Sequence, residues 1–270
     1  MDNQTALLIE GLLAARVLDL SQPLDPTIPR VPSVPPFTMG WVMRHGDYVL
    51  PGGTSFTQEL VSMGTHTGTH IDALNHVSCD GRLHGEPKNS EAPRGAQPSD
   101  LAIEHAPFIH AGVVLDIPAL RGVDRLAPGD GVTGDDLERA CAAQSVTVEP
   151  GAAVLVRTGW GDRETYRTGG YLRNPPGVNI SGARRLIEWQ VALTGADTFM
   201  YEQPSQGLGP MPVHATLAVE AGVHIVENLF LEELVQAEAS TFALIVAPLR
   251  MTGASGSPIR PLALVSGTDR

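Results

Sequence analysis

The stretch His66-Thr67-Gly68-Thr69-His70-Ile71-Asp72-Ala73-Leu74-Asn75-His76 places three histidines and an aspartate within eleven residues, around one glycine. Imidazole nitrogens and carboxylate oxygens suit Zn2+, Mn2+ or Fe2+, and ligand type alone selects poorly among them. Side chains two apart in an extended strand share a face, so His70 and Asp72 converge. A bend at Gly68 brings His66 back toward them. Three protein ligands leave a coordination position open, which is the ligand count of a catalytic site. His76 lies four residues beyond Asp72. It is either a fourth ligand or a proton-transfer group standing just off the ion, and imidazole titrates near working pH. The second role is the expectation.

A second constellation lies downstream. His214 follows Pro210-Met211-Pro212-Val213, and Glu227 sits in His224-Ile225-Val226-Glu227-Asn228-Leu229. Both border regular elements, where a side chain is aimed reliably. They complete a second metal site with Asp72 bridging, or else are a helix-entry histidine and an acid near a helix start. Other residues carry weaker signals. Cys79 lacks the partnered histidine and oxyanion hole that a nucleophile needs. His84, His105 and His110 lie in or beside a long polar loop. Trp160 is a stacking surface or a core indole, and Arg157 a carboxylate anchor or an ion-pair partner.

The elements that must position these residues are legible in outline. Helical spacing of Leu7, Leu8, Leu12 and Leu13 predicts a helix over Thr5 to Arg16, followed by a strand over Arg16 to Leu20. Pro23 to Pro36 is too rich in proline for helix or sheet and reads as an extended wrap. Thr38 to Met43 and Ser55 to Met63 read as strands around a Pro51-Gly52-Gly53 turn. Asp80 to Ser99 is a long polar loop.

From Ala111 onward strands and helices alternate. Strands are expected at Val113 to Asp116, Ala152 to Arg157, Val191 to Leu193, Val223 to Val226 and Phe242 to Val246. Helices are expected from Thr133 as N-cap to Ala143, from Ser181 as N-cap to Trp189, over His214 to Glu220, and from Asn228. A tight turn over Gly253 to Pro258 precedes a last strand at Arg260 to Val265. The pattern predicts a single α/β domain with a mixed sheet spanning residues 1–270.

Composition narrows the function. A formal net charge of −12 argues against a nucleic-acid surface, and no apolar stretch approaches the length of a membrane span. The two cysteines lie far apart, and no basic segment precedes an apolar run near Met1, so a reducing cytoplasm is the expected location.

The motif from His66 to His76 resembles the H-x-G-T-H-x-D-x-P-x-H motif of the cyclase family of metal-dependent hydrolases, which includes bacterial kynurenine formamidase and isatin hydrolase. Leu18-Asp19-Leu20-Ser21, Val156-Arg157-Thr158-Gly159-Trp160, Gly195-Ala196-Asp197-Thr198, Ile225 to Leu229 and Gly256-Ser257-Pro258-Ile259-Arg260-Pro261 also resemble family blocks. The resemblance implies a swivelling β/β/α fold and hydrolysis of an amide or lactone-like bond in a small-molecule substrate. It implies one or two divalent ions, Zn2+ or Mn2+. His66, His70 and Asp72 would bind the first ion, and Asp72, His214 and Glu227 a second, with His76 as the proton-transfer residue. It further implies a homodimer or homotetramer. Leu74 stands where the motif has proline. A substrate-side tryptophan of the formamidase has no counterpart in Pro29 to Phe37, with Phe37 and Trp41 the nearest aromatics. Two other readings use the same residues: a metal-dependent dehydratase or cyclase, and a non-catalytic metal-binding structural protein.

Overall fold

The leucine spacing near the N-terminus forms a helix, α1 (Asn3–Ala14), whose first turn is capped by the Asp2 carboxylate accepting from the Thr5 N–H. The computed structural model describes residues 2–85, 101–204 and 211–267, so most of the Asp80–Ser99 loop lies outside the described residues. After α1 come β1 (Arg16–Asp19), the proline-rich wrap, and a two-stranded ribbon of β2 (Thr38–Met43) and β3 (Gln58–Ser62). The histidine motif contributes β4 (His70–Asp72). Next are β5 (Ile109–Asp116), α2 (Ile117–Arg121), β6 (Gly131–Val132) and α3 (Gly134–Gln144). They lead to β7 (Ala153–Arg157), α4 (Arg163–Tyr166), β8 (Gly177–Val178), α5 (Ile180–Glu188) and β9 (Leu193–Ala196). Then α6 (Pro212–His214) runs into a π-helix over Ala215–Glu220, followed by β10 (His224–Glu227) and α7 (Glu232–Gln236). The last strands are β11 (Thr241–Ile245), β12 (Gly256–Pro258) and β13 (Leu262–Val265).

Nine of these strands form one mixed sheet in the order β1-β13-β11-β5-β7-β9-β10-β4-β12. The centre, β5-β7-β9-β10, is parallel, as the alternation of strand and helix requires. Both flanks are antiparallel. β7 shows why its sequence is an unbroken apolar run. Val154 and Val156 pack with Leu137 and Ala140 of α3 and with Ala183 and Leu186 of α5. Ala153 and Leu155 pack on the other face with Leu18, Leu20, Leu231 and Phe242. A strand covered on both faces has no polar alternation to show. The result is the α/β architecture with a large mixed sheet that the pattern predicts. Among the described residues no helix is long and apolar enough to cross a membrane.

Three local expectations are corrected. The N-cap of α5 is Asn179, not Ser181: the Asn179 carboxamide oxygen accepts from the backbone N–H of Ser181 and Gly182, so the helix starts earlier. Asn228 does not open a helix. It turns the chain with φ of 57°, a left-handed conformation that asparagine tolerates, and α7 begins at Glu232. The Gly253–Pro258 turn contains β12, which pairs with β4. Pro258 is compatible with an edge strand because its missing N–H faces away from the ladder.

The ribbon stands apart from the cores. Met39, Trp41, Val42 and Leu60 are each more than half exposed, while Phe37 at its base is buried with Ile28, Trp160, Tyr166 and Tyr171. Trp160 is therefore a core indole, its Nε1–H donating to the Tyr171 carbonyl. Arg157 is an ion-pair partner, held by Asp116 at 2.8 Å and Glu232 at 2.9 Å.

Asp197, fully buried at the end of β9, ties that strand to β7. Its Oδ1 accepts from Thr158 N–H and Thr158 Oγ1–H, and its Oδ2 from Gly161 N–H. Burial raises its pKa to about 6, with the Thr158 hydrogen bonds opposing the shift. A carboxyl raised on folding contributes stability that is present below its unfolded pKa and lost as pH rises through its folded value. Asp197→Asn removes that loss. The stability of the variant relative to wild type, measured by urea denaturation, should therefore improve as pH rises from about 4 to about 7. A difference that stays flat across this window would contradict the assignment.

Candidate metal centre

The pairing of β4 with β10 builds the centre. The strands run antiparallel with Glu227 opposite His70 and Ile225 opposite Asp72. Cross-strand partners share a face, so His70, Asp72 and Glu227 project to the same side, while Ile71 and Val226 turn into the core behind them. Gly68 has a φ of 65°, the left-handed bend that returns His66 to the strand. His66 Nδ1 lies 2.7 Å from Asp72 Oδ1. His76 stacks on the His66 ring, with centroids 3.9 Å apart, and its Nε2 is 4.0 Å from Asp72 Oδ2. From the far side α6 delivers His214, whose Nε2 is 3.2 Å from Glu227 Oε1 and 3.9 Å from Asp72 Oδ2.

All six residues singled out in the sequence thus meet around Asp72. Among the described residues two groups have potential ligand atoms within 4.8 Å of one another: His66, Asp72 and His76, and Asp72, His214 and Glu227. His70 stands between them, with its Nε2 at 3.5 Å from both Asp72 Oδ1 and Glu227 Oε2. The first group thus takes in His76, whose Nε2 is 4.0 Å from Asp72, although the His70 Nε2 is nearer to that carboxylate at 3.5 Å.

The hydrogen bonds behind the rings test whether a cation fits. His70 Nδ1 is 2.9 Å from the Gly68 carbonyl, which can only accept, so Nδ1 carries the proton. His214 Nδ1 likewise donates to Glu202 Oε2 at 3.0 Å. With Nδ1–H committed in both rings, Nε2 is the nitrogen that faces the carboxylate oxygens. A lone pair facing a carboxylate is repulsive unless positive charge lies between them. Without an ion, a proton on His214 supplies it. Burial opposes charging His214, but hydrogen bonds to Glu202 and Glu227 outweigh this and raise its pKa to about 10. Burial likewise works against Asp72, but the neighbouring charge of His76 and the His66 and His70 contacts hold its carboxyl below the usual range. Converging nitrogen and oxygen donors that call for positive charge among them fit a divalent cation.

The remaining candidates lie elsewhere. Cys79 is exposed in a turn with Arg82, and Cys141 is a partly buried thiol that burial pushes up to about 11. His84 Nδ1 donates to the Val219 carbonyl, His105 is the exposed last residue of a single turn anchored by buried Ile103, and buried His110 faces the Gly151 carbonyl.

Comparison with known proteins identifies the family and the fold. The family model described as Putative cyclase matches residues 18–203. The chain belongs to the cyclase family. A kynurenine formamidase of Sphingopyxis alaskensis is 27% identical over 249 residues, covering 92% of this chain and 97% of the relative. Isatin hydrolase A of Ralstonia solanacearum is 27% identical with a TM-score of 0.76, covering 98% of each chain. The crystal structure of a novel cyclase superposes with a TM-score of 0.82 at 25% identity, covering 98% of this chain and 92% of that one.

In this member of the cyclase family the centre has supports that its sequence does not advertise. Ser255 Oγ lies 3.2 Å from His66 Nε2. Tyr201 N–H donates to Glu227 Oε1 at 2.8 Å. Glu202 is a single acid in an irregular stretch, with no spacing to mark it. Gly256 lies opposite Asp72 on β12, and a Cβ there would stand 2.5 Å from His66 Cε1. Gly256→Ala should therefore displace the His66 ring. Overpacking of this kind costs about 1–3 kcal/mol. A lowered melting temperature together with weaker binding of a divalent ion by calorimetry is the expected result. Unchanged affinity for that ion in a folded variant would count against His66 as a ligand.

Proposed function

We propose that this cyclase-family protein is a metal-dependent hydrolase that cleaves the C–N bond of a small amide, formamide or cyclic amide, with lactones as the ester counterpart. The residues that would hold the metal are His66, His70 and Asp72 for one ion, and Asp72, His214 and Glu227 for a second. The observation that carries the reading is the bridging position of Asp72, whose two oxygens face imidazoles from both groups. The kynurenine formamidase and isatin hydrolase relatives supply the bond type. The functional unit we propose spans residues 1–270 as one domain. Two free cysteines fit a reducing cytoplasm.

A divalent ion held in this cradle would supply Lewis acidity toward a carbonyl and toward the attacking water. The protein's own residues do the rest. Asp72 and Glu227 fix the negative side of the cradle, and the rings of His70 and His214 are locked by their Nδ1–H donors. His76 is the proton-transfer residue. Its side chain is 30% exposed against 4% for His70, so it reaches the open side where a substrate enters. Stacking on His66 sets the plane of its ring, which places Nε2 to give a proton to the departing nitrogen.

The exposed apolar ribbon of β2 and β3 supports a homodimer or homotetramer, because a two-stranded ribbon alone is marginally stable in water. Light scattering reads this directly.

The test of the reading is a chelation-and-rescue assay with Zn2+ or Mn2+ on N-formyl anilines, isatins, cyclic imides and lactones, followed in isotopically labelled water. Label appearing in the product marks hydrolysis, whereas its absence would point to elimination. His76→Ala should keep its metal and lose about 10²–10⁴ of turnover. Asp72→Ala should lose the metal itself. Full turnover in the first variant would remove His76 from the mechanism, and loss of its metal would make it a ligand.

A further inference from the structure

We propose that Glu202 is a positioning residue for this centre: its Oε2 holds the His214 ring in the one orientation that aims Nε2 at Asp72 and Glu227. The inference rests on the metal-binding reading of the site. Glu202 is only 2% exposed, and a single oxygen, Oε2, accepts from both the His214 backbone N–H at 2.9 Å and His214 Nδ1–H at 3.0 Å. The backbone bond fixes where the residue sits, and the ring bond fixes how the imidazole turns.

The helix itself cannot do this. α6 has three residues and no side-chain cap, and the chain beyond it is a π-helix. Helix starts leave their first N–H groups without partners, and Glu202 supplies the acceptor for His214 from outside the helix. Glu202 is itself clamped. Val178 N–H donates to the Tyr201 carbonyl at 3.0 Å, and Gln203 N–H to the Val178 carbonyl at 2.9 Å. The approach is so close that a Cβ on Gly177 would stand 2.4 Å from the Glu202 carbonyl carbon. The preceding residue takes part too, because Tyr201 N–H holds Glu227 Oε1. Two consecutive residues thus set both distal donors, His214 by side chain and Glu227 by backbone.

Because both bonds go to one oxygen, the device depends on where an acceptor stands and not on its charge. Glu202→Gln keeps an acceptor at that distance, whereas Glu202→Asp keeps the charge and withdraws it by one methylene. Two measurements on the full chain separate these. The first is proton NMR of the metal-free protein, following the hydrogen-bonded Nδ1–H of His214. The second is calorimetric titration with Zn2+. In Glu202→Gln the Nδ1–H resonance should persist and Zn2+ affinity should stay within a few-fold of wild type. In Glu202→Asp the resonance should be lost to exchange and affinity should fall about 10–100-fold, the usual effect of losing a ligand's outer partner. Wild-type behaviour in Glu202→Asp, or an equal loss in Glu202→Gln, overturns the proposal. If wild type binds neither Zn2+ nor Mn2+, the metal reading fails, and the Nδ1–H resonance still decides whether Glu202 holds the ring.

Discussion

Asp72 is a carboxylate buried to 3% exposure, and it shares its surroundings with a second buried acid, Glu227. Removing such ions from water costs several kcal/mol each unless opposite charge and hydrogen bonds compensate. The imidazoles facing them are turned so that neutral rings offer lone pairs. The site therefore has a standing need for positive charge at its centre. A proton on His214 meets it in one way, and a divalent cation between the carboxylates meets it in another. The surrounding architecture keeps these like-natured donors from moving apart.

The sheet does most of this holding. β4 is flanked by β10 and β12, so the segment that carries His70 and Asp72 cannot rotate without breaking two ladders. The close approaches are made possible by missing side chains: Gly68 where the chain bends, Gly256 where the His66 ring passes over the neighbouring strand. Thr69 adds a tie between distant parts, its hydroxyl donating to the Asn228 carbonyl and accepting from the Gln22 N–H. This links the N-terminal segment, the motif and the end of β10 at one atom.

How much of this can be read from sequence follows from how local each signal is. The motif is legible because its donors are close together and separated by a glycine. β7 and the second half of β5, Val113 to Asp116, are legible because burial on both faces leaves apolar runs, whereas Ile109 to Gly112, with alternate residues exposed, carry no such run and do not read as strand. β12 is not, since three residues containing glycine and proline look like a turn until an unpaired edge is known to lie beside them. His214 and Glu227 carry no local mark of their meeting with Asp72. Resemblance to a family places them, where the residues alone leave other roles open. Glu202 is invisible to both approaches, because a lone acid declares its role only through the ring it touches. Asn179 and Ser181 are equally good caps by type, and only the path of the backbone chooses between them.

The placement of β4 has a consequence for how the molecule is assembled. Its two partners, β10 and β12, are synthesised long after it, and pairings between segments so distant in sequence are slow to form. Until they arrive, both edges of β4 are open, and its histidines belong to no complete donor set. The donors gather only when the central strands, α6 and the C-terminal strands have taken their places. An ion gripped by all of them would be gripped by a finished molecule, so occupancy of the centre would report that folding has run to its end.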